Sequence, residues 1–233
     1  MKLNKLMFRE YDIRGIWNED ITEEVSYYIG RAYATKLLSL KKNKMIVGYD
    51  NRLSSPIIEK NLVKGLTDGG VDVVRLGLVT TPMYYYAWDK LNIHCGIMIT
   101  ASHNPKEYNG FKMSYNGIHN CFGNEVAELY YIILNGIYSK GNGSITDANI
   151  KEDYIKMINS HINMGSNKLK VIYDCGNGTT SIVAKDIFVS NDNIEYIPLF
   201  AESDGTFPNH HPDPAVESNL TILKEKVKEL NVV

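Results

Sequence analysis

Apolar and polar positions follow two rhythms along the chain. Between residues 22 and 40 the apolar positions are Val25, Tyr28, Ile29, Ala32, Tyr33, Leu37 and Leu40. That spacing predicts a helix with one buried face. Asp20, Glu23 and Glu24 stand at its start, where the helix dipole favours negative charge. "KMIVGYD" (44–50) then predicts a strand that runs into the polar loop "DNRLSSP". Ser55 before Pro56 predicts a helix start, as N-cap and first helical residue, and Gly69-Gly70 end that helix after Asp68. "VDVVRLG" reads as the next strand, "TTP" as a loop with a helix start, 83–91 as a short helix and "CGIMI" as a third strand. "GFKMSY" and "GIHN" flank Asn116-Gly117, a pair that predicts a two-residue β-hairpin. Residues 123–136 have helical spacing.

The character then changes. "NGIYSKGNGSITDANI" (135–150) is rich in Gly, Asn and Ser and reads as a linker. After it come a helix at 151–163, the strand "LKVIYD", a Gly-rich turn "CGNGTT", a helix to about 189 and the strand "IEYIPLF". The loop "AESDGTFPNHHPDP" leads to a last helix at 217–230. Strands alternating with helices predict an α/β fold in two parts, residues 1–145 and 146–233. The closing "LNVV" reads as a strand begun and not completed, so the second part is expected to be cut at its C-terminal edge.

Composition narrows the classes. A chain of 233 residues with 44% hydrophobic residues is large enough for two cores. A net charge of −2 gives no field to attract nucleic acid or an acidic membrane. The N-terminal "MKLNKLMFREYD" lacks the apolar core of a signal peptide, and no apolar run approaches membrane-spanning length. The cysteines are Cys95, Cys121 and Cys175, an odd number without metal-ligand spacing. Neither a disulfide framework nor a zinc site is expected, and a reducing cytoplasmic setting is.

Loops at the C-terminal ends of strands are where open α/β sheets bind ligands. Three qualify: "DNRLSS", "TTP" and "TASHNP". Ser102 lies in the last, with His103 beside it. Neighbouring side chains on extended backbone face opposite ways, so adjacency alone does not make His103 a base for Ser102. The glycine elbow of serine hydrolases is absent, as is a triad in order. These residues alone leave a polar turn and a nucleophile loop equally open. Arg14, Arg52 and Lys112 each read singly as surface cations. Grouped with a loop serine they point to a phosphate site, where cations balance developing charge. "DCGNGTT" lacks the Lys-Ser/Thr of a P-loop and reads as a tight turn. His210, His211 and Asp213 in "NHHPDP" read as a structured surface loop rather than metal ligands.

"FREYDIRGIW", "TASHNP", "YNGFK", "DCGNG" and "DGTFPNHHPDP" occur in the order and spacing of the α-D-phosphohexomutases, and from Phe8 onward the chain resembles that family. "YDIRG" resembles its bacterial mannose/glucose branch more than the glucosamine branch. The resemblance covers the first two of the family's four domains. It implies two three-layer α/β/α domains with mixed sheets, the first carrying a phosphoserine loop and the second incomplete. By motif position it implies Ser102 as the phosphoserine, with His103 and Asn104 shaping its loop. Arg14 and Lys112 would flank it and help move the proton of the attacking hydroxyl. Tyr11, Arg52, Asn104 and Asn109 would lie near a hexose phosphate substrate. Phosphoserine would pass its phosphoryl group to a hexose monophosphate, through a hexose 1,6-bisphosphate that returns its other phosphate to Ser102. Mg²⁺ would sit on the Ser102 phosphate, its remaining ligands belonging to family domains beyond this chain. The isolated chain is therefore expected to be inactive. The alternative is a non-catalytic module that binds sugar phosphate, complements a C-terminal partner or self-associates.

Overall fold

The computed structural model describes residues 3–117, 119–163 and 165–232. The chain divides into two compact units, Met1–Ser102 with Glu107–Asn149, and His103–Lys106 with Ile150–Val233.

The first unit is built on a six-stranded mixed sheet. Its strands are β1 (Ile13–Ile16), β2 (Lys44–Tyr49), β3 (Asp72–Leu78), β4 (Gly96–Ile99), β5 (Tyr108–Ser114) and β6 (Ile145–Asp147), in the spatial order β1-β5-β4-β2-β3-β6. β4, β2, β3 and β6 run parallel, and β5 is antiparallel to both β1 and β4. The central strands are continuous apolar runs, Met45–Val47 and Ile97–Ile99, buried on both faces. That is the signature of a covered parallel sheet. Helices α1 (Glu23–Ser39), α2 (Ser55–Asp68), α3 (Thr81–Lys90) and α4 (Asn124–Asn135) complete the unit. Thr22 caps α1 by accepting the Val25 N–H at 3.1 Å, and Glu23 and Glu24 follow in the first turn. α1 and α2 cross backbone to backbone, since a Cβ on Gly65 would stand 2.1 Å from the Tyr27 carbonyl oxygen.

Three expectations are corrected here. The hairpin at Asn116-Gly117 does not form. β5 already pairs with β1 on one edge and β4 on the other, so a returning strand has no edge to join. Ser114 Oγ closes the turn instead, accepting the Gly117 N–H and donating to the His119 carbonyl; Ile118, within the expected arm, lies outside the described residues. The linker is part of the first unit. Its residues Ile145–Asp147 form β6, and Gly143 lies so close to β3's approach that a Cβ would be 1.9 Å from the Val71 carbonyl oxygen. The glycines there serve close packing rather than flexibility. Finally, the N-cap of α2 is Ser54, not Ser55, and its side chain makes no capping bond. The hydroxyls of both serines are engaged elsewhere, as the next subsection describes.

The second unit contains α5 (Lys151–His161), β7 (Leu169–Asp174), α6 (Ala184–Val189), β8 (Ile194–Leu199) and α7 (Thr221–Glu229), with 3₁₀ turns at Thr179–Ile182 and Glu217–Leu220. Among the described residues its sheet has two strands, β7 and β8, and they are parallel. Among the described residues the mixed sheet lies in the first unit. After β8 the chain is loop and helix, with no antiparallel strand among the described residues. No helix among them is long and apolar enough to cross a membrane.

Candidate active site

Ser102 stands just beyond the C-terminal end of β4 and is exposed. The strand pairing runs one residue past Ile99, because the Thr100 N–H donates to the Gly110 carbonyl at 2.9 Å. The chain then turns. Thr100 Oγ1 accepts the Ser102 N–H at 2.9 Å, an ST turn that bends the backbone by side-chain bonding. Ser102 is thereby held at φ 56°, the left-handed region that costs a non-glycine residue about 1 kcal/mol or more. Backbone strain of this kind clusters at active sites and ligand clamps.

Arg14 and Lys112 belong to the same face of the sheet. Arg14 on β1 is directly opposite Gly110 of β5, and Lys112 lies two residues further along β5, opposite Met98. Diagonal neighbours of this kind sit about 7–8 Å apart. Gly110 lets the row close up, since a Cβ there would meet the Ile13 carbonyl oxygen at 2.4 Å and the Thr100 carbonyl oxygen at 3.0 Å. Thr100, Gly110 and Arg14 therefore lie in one line across three strands, ending at the Ser102 turn. The Arg14 guanidinium is paired with the Asp12 carboxylate, which fixes its direction. Lys112 is half-buried and Tyr11 is 71% exposed.

Arg52 and Asn109, expected near substrate, face inward. Arg52 is 1% exposed. Its Nε donates to Asp50 Oδ2 at 3.2 Å, one terminal nitrogen to the Tyr108 carbonyl at 3.1 Å and the other to the Ser102 carbonyl at 3.0 Å. Burial pushes its pKa down, Asp50 opposes this, and nearby Arg14 adds to the lowering. Asn109 is fully buried. Its side-chain nitrogen donates to Ser54 Oγ at 2.8 Å and Ser55 Oγ at 3.0 Å, and its oxygen accepts the Gly110 N–H. Ser55 Oγ donates in turn to Asp50 Oδ1 at 2.8 Å. These polar groups hold one another under the Ser102 turn, as buried polar groups must. Asp50, Asp12, Ser54, Ser55 and Thr100 also take part, though none is among the candidate site residues named from the sequence. A carboxylate closing a strand before "NRLSS", and a threonine two before Ser102, were the available signals.

His103 is exposed and Asn104 half-buried; both group with the second compact unit, whereas Ser102 belongs to the first. In the second unit the Gly-rich turn is a folding device. Asp174 Oδ1 accepts the Gly176 N–H at 2.7 Å, Gly176 has φ 52° and Asn177 φ 55°. His210 packs on that turn, its Nε2 3.2 Å from Asp174 Oδ2 and its Nδ1 2.8 Å from the His211 carbonyl. Among the described residues no three His, Cys, Asp or Glu side chains gather to hold a metal ion.

Comparison with known proteins decides the family. Residues 5–136 match the family model described as phosphoglucomutase/phosphomannomutase, alpha/beta/alpha domain I, and residues 152–233 match that of domain II. The chain belongs to the phosphoglucomutase/phosphomannomutase family. It is 44% identical over 224 residues to a phosphomannomutase/phosphoglucomutase of Pseudomonas syringae, covering 96% of this chain and 47% of that protein. It is 39% identical to a phosphoglucomutase of Neisseria meningitidis, over 95% of this chain and 48% of that one. A crystal structure of a phosphoglucomutase/phosphomannomutase family protein from Burkholderia thailandensis superposes with a TM-score of 0.93 at 33% identity, covering 99% of this chain and 52% of the other. The chain spans about half the length of the curated relatives it matches.

Proposed function

We propose that this chain carries the phosphoserine part of a phosphohexomutase that interconverts hexose 1-phosphate and 6-phosphate, of mannose or glucose. The observation that carries the reading is the exposed, left-handed Ser102 at the end of β4, beside a sheet row that bears Arg14 and Lys112. In this reading Ser102 holds a phosphoryl group as its Oγ ester. A hydroxyl of the hexose monophosphate attacks phosphorus and the bond to Ser102 Oγ breaks. The hydroxyl's proton ends on Ser102 Oγ, and the product is a hexose 1,6-bisphosphate. Transfer of the bisphosphate's other phosphate back to Ser102 completes the exchange. Arg14 and Lys112 balance the charge on the moving phosphoryl group and help pass the proton, which is positioning and electrostatics rather than covalent chemistry. Tyr11 and Asn104 are the contacts proposed for the sugar. Arg52 and Asn109 act by shaping the loop, because both are buried.

Mg²⁺ would add neutralising charge on the phosphate. It takes about six oxygen ligands; the Ser102 phosphate would give one, and water and residues beyond this chain would give the rest. The three cysteines are free, which suits a reducing cytoplasm. A second reading, a fragment that complements a C-terminal partner, is favoured by one observation. The β7–β8 sheet has two described strands, each half-exposed and each with an open edge, and such sheets are marginal alone.

The test is the intact mass of the chain purified from cells, before and after phosphatase, with the site mapped. The reading expects one phosphate, on Ser102, absent in Ser102→Ala. A phosphate mapped to another residue, and unaffected by Ser102→Ala, would overturn it.

A further inference from the structure

We infer that Arg52 is the positioning residue of the Ser102 loop, a staple across both of its feet. This rests on Ser102 being the phosphate carrier, since only then does the loop's exact placement matter to chemistry. The chain leaves the sheet after Thr100, turns at Ser102 and rejoins the sheet at Tyr108. The two carbonyls that Arg52 engages belong to Ser102 and Tyr108, 3.0 and 3.1 Å from its two terminal nitrogens. One guanidinium thus ties the turn that opens the excursion to the residue where the sheet resumes. Asp50 aims the fork, accepting from Arg52 Nε at 3.2 Å and from the Arg52 N–H at 3.1 Å. Asp50 is itself fixed by Ser55, and Ser55 by Asn109, the residue next to Tyr108.

The chemistry of the side chain matters. A planar guanidinium presents donors in fixed directions and reaches two acceptors at once, while lysine offers one compact ammonium on a flexible stem. Burial at 1% exposure removes competition from water. The left-handed Ser102 gives the staple something to oppose: a residue at φ 56° relaxes unless its neighbours hold it. A carbonyl fixed on one side of the residue and an N–H fixed on the other, by Arg52 and Thr100, leave Ser102 little freedom.

The experiment is amide hydrogen exchange, read by mass spectrometry on the full 233-residue chain without substrate. In Arg52→Lys, peptides covering 100–108 should exchange about tenfold faster or more, as expected when a charge-assisted bond holding a local segment is lost. Peptides of β2 and α1 should be unchanged. Unchanged exchange at 100–108 would overturn the staple, and so would equal acceleration throughout the chain, which marks a general folding role. Should Arg52→Lys fail to fold, Asp50→Asn keeps the fork but loosens its aim. It should speed exchange at 100–108 selectively, and no selective change there would overturn the proposal. Both proteins are treated with phosphatase before exchange, so that it reads the staple alone; the phosphate mapping of Ser102 tests the reading beneath it.

Discussion

At the residue scale, the proposed site depends on side chains that are small or absent as much as on its charged ones. Gly110 lies in line with Thr100 and Arg14, and a methyl group there would press to 2.4 Å from the Ile13 carbonyl oxygen. Gly110→Ala should therefore destabilise the first unit by about 1–3 kcal/mol, the usual cost of overpacking. A urea unfolding midpoint lowered at unchanged slope would show this; an unchanged midpoint would show that β1 yields without cost. The residues proposed to react stand out in sequence because Ser102, Arg14 and Lys112 each sit in a short motif with polar neighbours. The buried ones do not. Arg52 and Asn109 look, in sequence, like any polar residues in a ligand-facing loop. Their turn inward depends on carbonyls of Ser102 and Tyr108 and on two serines, partners that only the folded sheet brings together.

At the scale of elements, the sequence showed most of the helices and strands because their apolar spacing is strong. α1, β2 and β7 occur where periodicity put them. The misplaced elements are those whose fate is decided by neighbours. Asn116-Gly117 has the chemistry of a hairpin turn, but β5 is an interior strand and offers no free edge. β6 is three exposed residues at the edge of a sheet, with no hydrophobic signal to reveal it. It is placed by pairing, with Arg75 opposite Asp147 and the Arg75 Nε 2.8 Å from the Asp147 carboxylate. Local propensity is a weak guide where strand partners decide.

At the scale of the whole molecule, buried ionisable groups set an alkaline limit. Burial pushes the Cys121 thiol up to about 12 from 9.0, and it also raises the phenols of Tyr33, Tyr84 and Tyr115 well above their usual value. Above pH 9.0 the unfolded Cys121 releases a proton that the folded chain keeps. The folded state then binds more protons, so stability is full below that pH and falls as pH rises towards about 12. The urea midpoint should be level to about pH 9 and decline above it; a midpoint that rises across that range would contradict the sign. The central claim, that Ser102 carries phosphate for a hexose phosphate exchange, is tested most directly by joining the two halves. This chain is incubated with hexose 1,6-bisphosphate and the C-terminal half of the Pseudomonas syringae relative, and phosphopeptides are mapped alongside glucose 1-phosphate turnover. The account predicts no turnover by this chain alone, turnover by the pair, and phosphate on Ser102. Turnover by the pair with Ser102 unphosphorylated, or undiminished in Ser102→Ala, would contradict it.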